Sequence, residues 1–145
     1  VDWISPETLL VALHVLANVV WIGALLAVAV VVAAAPASTD PVSAGGLARL
    51  VHVRLAVPAF LVSFGAGAAR IALTPIPYAH MPWFHAKLTF ALAVIVLHHV
   101  IGARAKGVAN GRLKAAAGTG VLGIATLVCA AGAVLLGVAK ALPGR

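Results

Sequence analysis

Six histidines, His14, His52, His80, His85, His98 and His99, are the residues of this chain best suited to chemistry, and all but His80 fall inside long apolar runs. An imidazole in hydrocarbon is costly without a partner, so an intramembrane histidine is by default a hypothesis of function. The bland reading is a ring bonded to the carbonyl of a neighbouring helix, and for any one of the five it weighs about evenly. For five rings in so short a chain it weighs less. Neutral imidazole is the usual axial ligand where a helical bundle holds haem between facing helices, and a flat apolar macrocycle suits a lipid-buried cleft lined by small residues.

The elements that must position these rings are apolar helices. Of the 145 residues, 63% are apolar and 9% charged, and the mean hydropathy is +1.14; a soluble domain carries roughly a quarter charged residues. The expected fold is an all-α, integral membrane four-helix bundle, one domain over residues 1–145. Its first span runs from about Pro6, suited to a first helical turn, to Ala35, where Pro36 ends it. Ser38 to Gly46 reads as a polar turn, and the second span covers about Leu47 to Leu73 with a kink near Pro58. Pro75 and Pro77 break the chain before a third span from Pro82 to about Arg104. A basic loop from Lys106 to Lys114 leads to a fourth span, about Ala116 to Leu142, whose glycines allow close helix approach in lipid.

Depth sorts the histidines into two levels. At about 1.5 Å per residue, His14 lies about two turns below the outer end of the first span and His85 about one turn below that of the third. They are candidates to face each other as iron ligands across the outer half. His52 lies about a turn and a half above the inner end of the second span, with His98 and His99 at similar height on the third. From His85 to His99 the helix returns to within about 40° of one face, about 21 Å further along, so His99 rather than His98 shares the stripe. His14, Asn18, Trp21 and Leu25 line one face of the first span, where Asn18 is placed to orient the His14 ring or to make a plain interhelical hydrogen bond. Arg70 and Lys87 lie towards the outer end and Arg54 towards the inner, a cation at each level able to pair with haem propionates; snorkelling to headgroups is the bland reading.

The formal charge of +7 reflects the scarcity of acids, Asp2, Glu7 and Asp40, more than a cluster of bases, so nucleic acid is not an expected partner. Arg49, Arg54, Arg104, Lys106, Arg112 and Lys114 fall on one side of the membrane, against Arg70, Lys87, Lys140 and Arg145 on the other. The first group should be cytoplasmic, which puts both termini outside, with Trp3, Tyr78 and Trp83 at the outer interface. The absence of a basic leader with a cleavage site reads as no signal peptide, and Val1 as a GTG start. Other chemistries fit less well: a redox-inert metal site normally recruits carboxylate or thiol, a proton path usually needs intramembrane acids, and no acid lies inside a span. Cys129 is a lone thiol within an apolar run, more simply a small buried hydrophobe than a copper ligand.

Ala12-Leu13-His14 with Trp21, Pro58-Ala59, Trp83-Phe84-His85-Ala86-Lys87-Leu88 followed by His98 and Arg104, and Lys140 together resemble the HemJ-type protoporphyrinogen oxidases and their CopD-like relatives. The resemblance implies a small membrane protein that binds haem b and, in the oxidase family, oxidises protoporphyrinogen IX to protoporphyrin IX. It implies functional or ligand roles for His14 and His85, tetrapyrrole-facing cations at Lys87 and Arg54, and for His98 the role of second histidine of the third span. The chain departs from the family where a basic residue is expected in Ala27 to Ala35 and an acid in Ala117-Gly118-Thr119-Gly120.

The expected function is therefore a haem b-binding membrane cytochrome that passes electrons, holding one haem or two, as an accessory subunit of a redox complex. His14 and His85 would ligate the outer iron and His52 and His99 the inner, with His98, Arg54, Arg70 and Lys87 at the cofactor. A HemJ-like protoporphyrinogen IX oxidase is the alternative. The setting would be a bacterial inner membrane, the partners the bilayer and either further copies of the chain or redox-complex subunits.

Overall fold

A computed structural model describes residues 5–73 and 80–139. They are helical apart from short turns, with no strand among them, and four helical stretches are long and apolar enough to cross a membrane: Pro6–Ala37, Pro41–Leu73, Pro82–Ala109 and Leu113–Val138. The chain is an all-α four-helix bundle of the multi-pass membrane type. Trp3, Pro75, Pro77, Tyr78, Lys140 and Arg145 lie outside the described residues.

The first stretch is α1 (Pro6–Ala34) followed by a 3-10 turn, Ala35–Ala37. Ser5 caps it, its hydroxyl accepting the Thr8 amide N–H at 3.2 Å, with Pro6 in the first turn. Ala17, Trp21, Ala24, Leu25, Val28, Ala29 and Val32 form its buried stripe. In lipid such burial brings little hydrophobic gain, so close van der Waals packing and satisfied polar groups hold the bundle.

The second stretch begins at Pro41 instead of Leu47. Asp40 caps α2 (Pro41–Val51) by accepting the Ser43 amide at 3.0 Å, and Pro41 fits the first turn, so the expected polar turn is mostly helix. Gly45 is needed there: a Cβ would lie 2.5 Å from the Ala109 backbone nitrogen. Before Pro58 the helix widens into a π-helical segment, His52–Ala56, and then resumes as α3 (Val57–Leu73). Proline has no N–H to give the carbonyl four residues back and its ring crowds that carbonyl; one wide turn absorbs both.

The third stretch, α4 (Pro82–Ala109), continues past Arg104, because nothing breaks it before Asn110 and Gly111, whose φ of +78° is a left-handed conformation. Lys106 is therefore helical, not part of a loop. A 3-10 turn, Leu113–Ala116, precedes α5 (Thr119–Ala139). Arg104 donates to the Ala117 carbonyl at this junction and lies 3.4 Å from the Thr119 hydroxyl.

Around the bundle, the first stretch neighbours the second and fourth, and the third neighbours the same two. The end of the bundle away from Pro6, called the inner end below, is dense, with Leu25, Val28, Val32, Ala48, Ile101, Ala105, Val108 and Ala116 in one cluster. The half nearer Pro6, called outer, is not closed in the same way. There α3 packs along α1 and has at most marginal contact with α4 and α5, whereas α2 packs closely on α4.

Candidate functional site

Two imidazole centres occupy the bundle. The outer one is His14. Its Nδ1 lies 2.8 Å from the Ser63 carbonyl on α3, which only accepts, so Nδ1 carries the proton. Nε2 then presents its lone pair, and the Asn18 amide, one turn further along α1, donates to it at 3.1 Å. Asn18 also donates to the His14 backbone carbonyl at 2.9 Å, so it keeps a partner if Nε2 turns elsewhere. The ring fits because residue 67 is glycine: a Cβ there would lie 3.0 Å from Nδ1 and 3.1 Å from Cε1. Ser63 itself is buried, its hydroxyl 3.4 Å from the same nitrogen.

One turn beyond Gly67 on α3, Arg70 has its Nη1 buried with no hydrogen-bond partner among the described residues. An orphaned buried guanidinium nitrogen is expensive, and an anion is its natural complement. On α4, His85 is exposed; Thr89 donates to its carbonyl at 3.0 Å and the Phe84 ring lies edge-on at 6.2 Å. Lys87 is half-buried and reaches towards α5, its Nζ 3.9 Å from where a Gly137 Cβ would stand.

The inner centre is built on His98, 1% exposed. The Trp21 indole N–H donates to its Nδ1 at 3.0 Å across α1 and α4, and His52 Nε2–H donates to its backbone carbonyl at 3.3 Å. The His52 and His98 rings stack with centroids 4.6 Å apart, and Phe60 closes the cluster at 5.2 Å from His98. Gly102 makes the stack possible, since a Cβ there would lie 2.3 Å from His52 Cε1. His52 and His99 are not paired in this arrangement: His52 lies on His98, while His99 is exposed with its ring edge-on to Phe60. Arg54, two residues beyond His52, leaves the opposite side of the helix and is exposed.

The donor chemistry of the two centres differs in the way an iron porphyrin would feel. An axial histidine needs a lone pair on the nitrogen facing the metal and gains from a carbonyl holding its other N–H. His14 has that tautomer, and the orphaned Arg70 nitrogen supplies a cation suited to a carboxylate, so these two residues fit, while exposed His85 is not shown turned towards them. In the inner cluster, neutral His98 accepts at Nδ1 and so carries its proton on Nε2, His52 spends its Nε2–H on a carbonyl, and the two rings meet face to face. The inner residues as arranged do not fit a shared iron; they tie three helices together.

Ser63, Gly67, Gly102 and Phe60 escaped the sequence reading. Glycines inside helical patterns were the available signal, since each sits opposite a histidine ring. No protein-family model, curated protein or solved structure matches the chain.

Proposed function

We propose that the chain is a haem b-binding membrane cytochrome that passes electrons, with its haem at the outer level of the bundle. The observation that carries this is the state of His14: Nδ1–H held by the Ser63 carbonyl at 2.8 Å, with the proton-free Nε2 accepting from the Asn18 amide alone. When bound, haem b supplies a one-electron iron couple. His14 contributes a neutral nitrogen ligand, the Ser63 carbonyl fixes its tautomer and raises its basicity, and Asn18 releases Nε2 without losing its bond to the His14 carbonyl. Arg70 pairs its orphaned nitrogen with a propionate. His85, the histidine of α4 nearest that level, would be the second residue to hold the haem, and Lys87 would add a cation nearby. The inner cluster of Trp21, His52 and His98 has a packing role.

The setting consistent with this is a bacterial inner membrane with Arg49, Arg104, Lys106, Arg112 and Lys114 cytoplasmic and both termini outside. Redox-complex subunits or further copies of the chain are the partners such a small cytochrome would need. The orphaned Arg70 nitrogen would equally take the carboxylate of a tetrapyrrole substrate, which favours protoporphyrinogen IX oxidation as the second reading. Rescue of a strain lacking its own oxidase tests it; a chain that fails to rescue although present in the membrane would set that reading aside.

Titration of purified chain with haemin tests the cytochrome reading. It should give a saturable Soret band near one haem per chain, weakened strongly in His14→Ala. A wild-type chain with no Soret band would overturn it.

A further inference from the structure

Arg54 stands apart from both histidine centres, and it does not stand with the other bases at the inner end. It is exposed beside Val20, the midpoint of α1, so about 20 Å of helix separates its level from either end of that element. Half the hydrocarbon of a bilayer is about 15 Å thick. The surface around the guanidinium is open and apolar, with Leu50 and Leu55 beside it on its own stretch and Leu13, Leu16 and Val20 exposed on α1. Among the described residues Arg54 has neither an ion pair nor a hydrogen bond.

The chain has no anion to offer at this depth. Its three acids are Asp2, Glu7 and Asp40. Glu7 lies in the first turn of α1, and Asp40 caps α2 with its carboxylate occupied by the amide and hydroxyl of Ser43. A second copy carries its acids at the same helix ends, so pairing two copies leaves Arg54 without a counter-charge. Lipid tails bring no charge, and headgroups lie at the membrane surface. A spanning helix satisfies its own backbone, so the anion it can bring to mid-depth is a side-chain carboxylate. Intramembrane acids and bases are each costly alone and pair with one another.

We infer that the face around Arg54 docks a transmembrane helix of a different protein, one that carries an aspartate or glutamate at mid-span against this guanidinium. The open apolar surface takes the side of that helix, and the charge pair fixes its depth. The partner is therefore a subunit with an intramembrane acid, not a further copy of this chain.

The probe is a single-span peptide of leucine and alanine with one aspartate at its centre, and a matched peptide carries asparagine there. Each is mixed with the full chain in phosphatidylcholine vesicles without haem, which keeps the result separate from the cytochrome reading, and association is followed by energy transfer between labels. Wild type should bind the aspartate peptide about tenfold more tightly than the asparagine peptide. Arg54→Leu should abolish that preference with helical circular dichroism unchanged, Arg54→Lys should keep most of it, and Arg49→Leu, near the end of α2, should leave it intact. Equal binding of the two peptides by wild type, as when Arg54 reaches water on its own, a preference that survives Arg54→Leu, or one lost equally in Arg54→Lys or Arg49→Leu would overturn the docking site.

Discussion

Gly102→Ala should destabilise the bundle, although alanine is the better helix former. A Cβ at this position would stand 2.3 Å from His52 Cε1 and 2.4 Å from Nε2, well inside contact, so the half-buried imidazole must leave its place. Leaving it breaks the stack on His98 and the bond to the His98 carbonyl. Overpacking of this kind costs about 1–3 kcal/mol, and the lost hydrogen bond about 1 kcal/mol. Helix propensity offsets about 1 kcal/mol, leaving a net loss of about 1–3 kcal/mol. The measurement is reversible unfolding in mixed micelles with increasing sodium dodecyl sulfate, followed by helical circular dichroism. Gly65→Ala is the control: nothing lies within 4 Å of its Cβ, so the same substitution should be neutral or stabilising by up to about 1 kcal/mol. In Gly102→Ala combined with His52→Ala the penalty should shrink, because the clash partner is gone. A Gly102→Ala chain as stable as Gly65→Ala would show that the His52 ring is not where the structure has it.

Gly45→Ala should cost more than Gly102→Ala in the same assay, since its Cβ meets the Ala109 and Val108 backbone at 2.5 and 2.7 Å and only a shift of α2 against α4 relieves it. Trp21→Phe leaves His98 Nδ1 buried without its donor and should lower stability by about 1–3 kcal/mol; no loss would mean that the indole does not reach that nitrogen. The Asp40 carboxyl is held below the usual carboxylate range, chiefly by the Ser43 hydroxyl and then by the Ser43 amide. Its folded-state pKa lies below the unfolded value of about 3.9, so its contribution is present above that pH and is lost as pH falls through the folded value. Asp40→Asn should accordingly flatten the acid limb of an unfolding-against-pH profile, and an unchanged limb would exclude the cap as its source.

Much of the fold was legible because bilayer-length apolar runs bounded by prolines leave few alternatives, and Pro6 and Pro82 do open their helices. The start of the second stretch was missed because Asp40 and Pro41 serve a turn or a helix start equally well; contact between Gly45 and α4 belongs to the helix alone. The π-helical segment was not legible either. Proline announces a lost hydrogen bond, but not whether the chain answers by kinking or by widening a turn. The choice between His98 and His99 shows the same limit more sharply. Val94, His98, Ile101, Ala105 and Val108 make the inward stripe of α4, a pattern present in the sequence, yet in lipid the outward stripe is apolar too and periodicity loses its contrast. At the outer centre His14 and Asn18 were found by their helical spacing, whereas Ser63 acts through its carbonyl, which no side-chain pattern records.

An iron-ligand role for His14, as proposed above, is read from the haem that the chain retains. The chain should be expressed with haem supplied, purified, and assayed by pyridine haemochrome against protein concentration, beside His14→Ala and His98→Ala. Wild type should carry about one haem b per chain, His14→Ala close to none, and His98→Ala an amount near wild type. A wild-type chain without haem, or a His14→Ala chain holding as much as wild type, would contradict it.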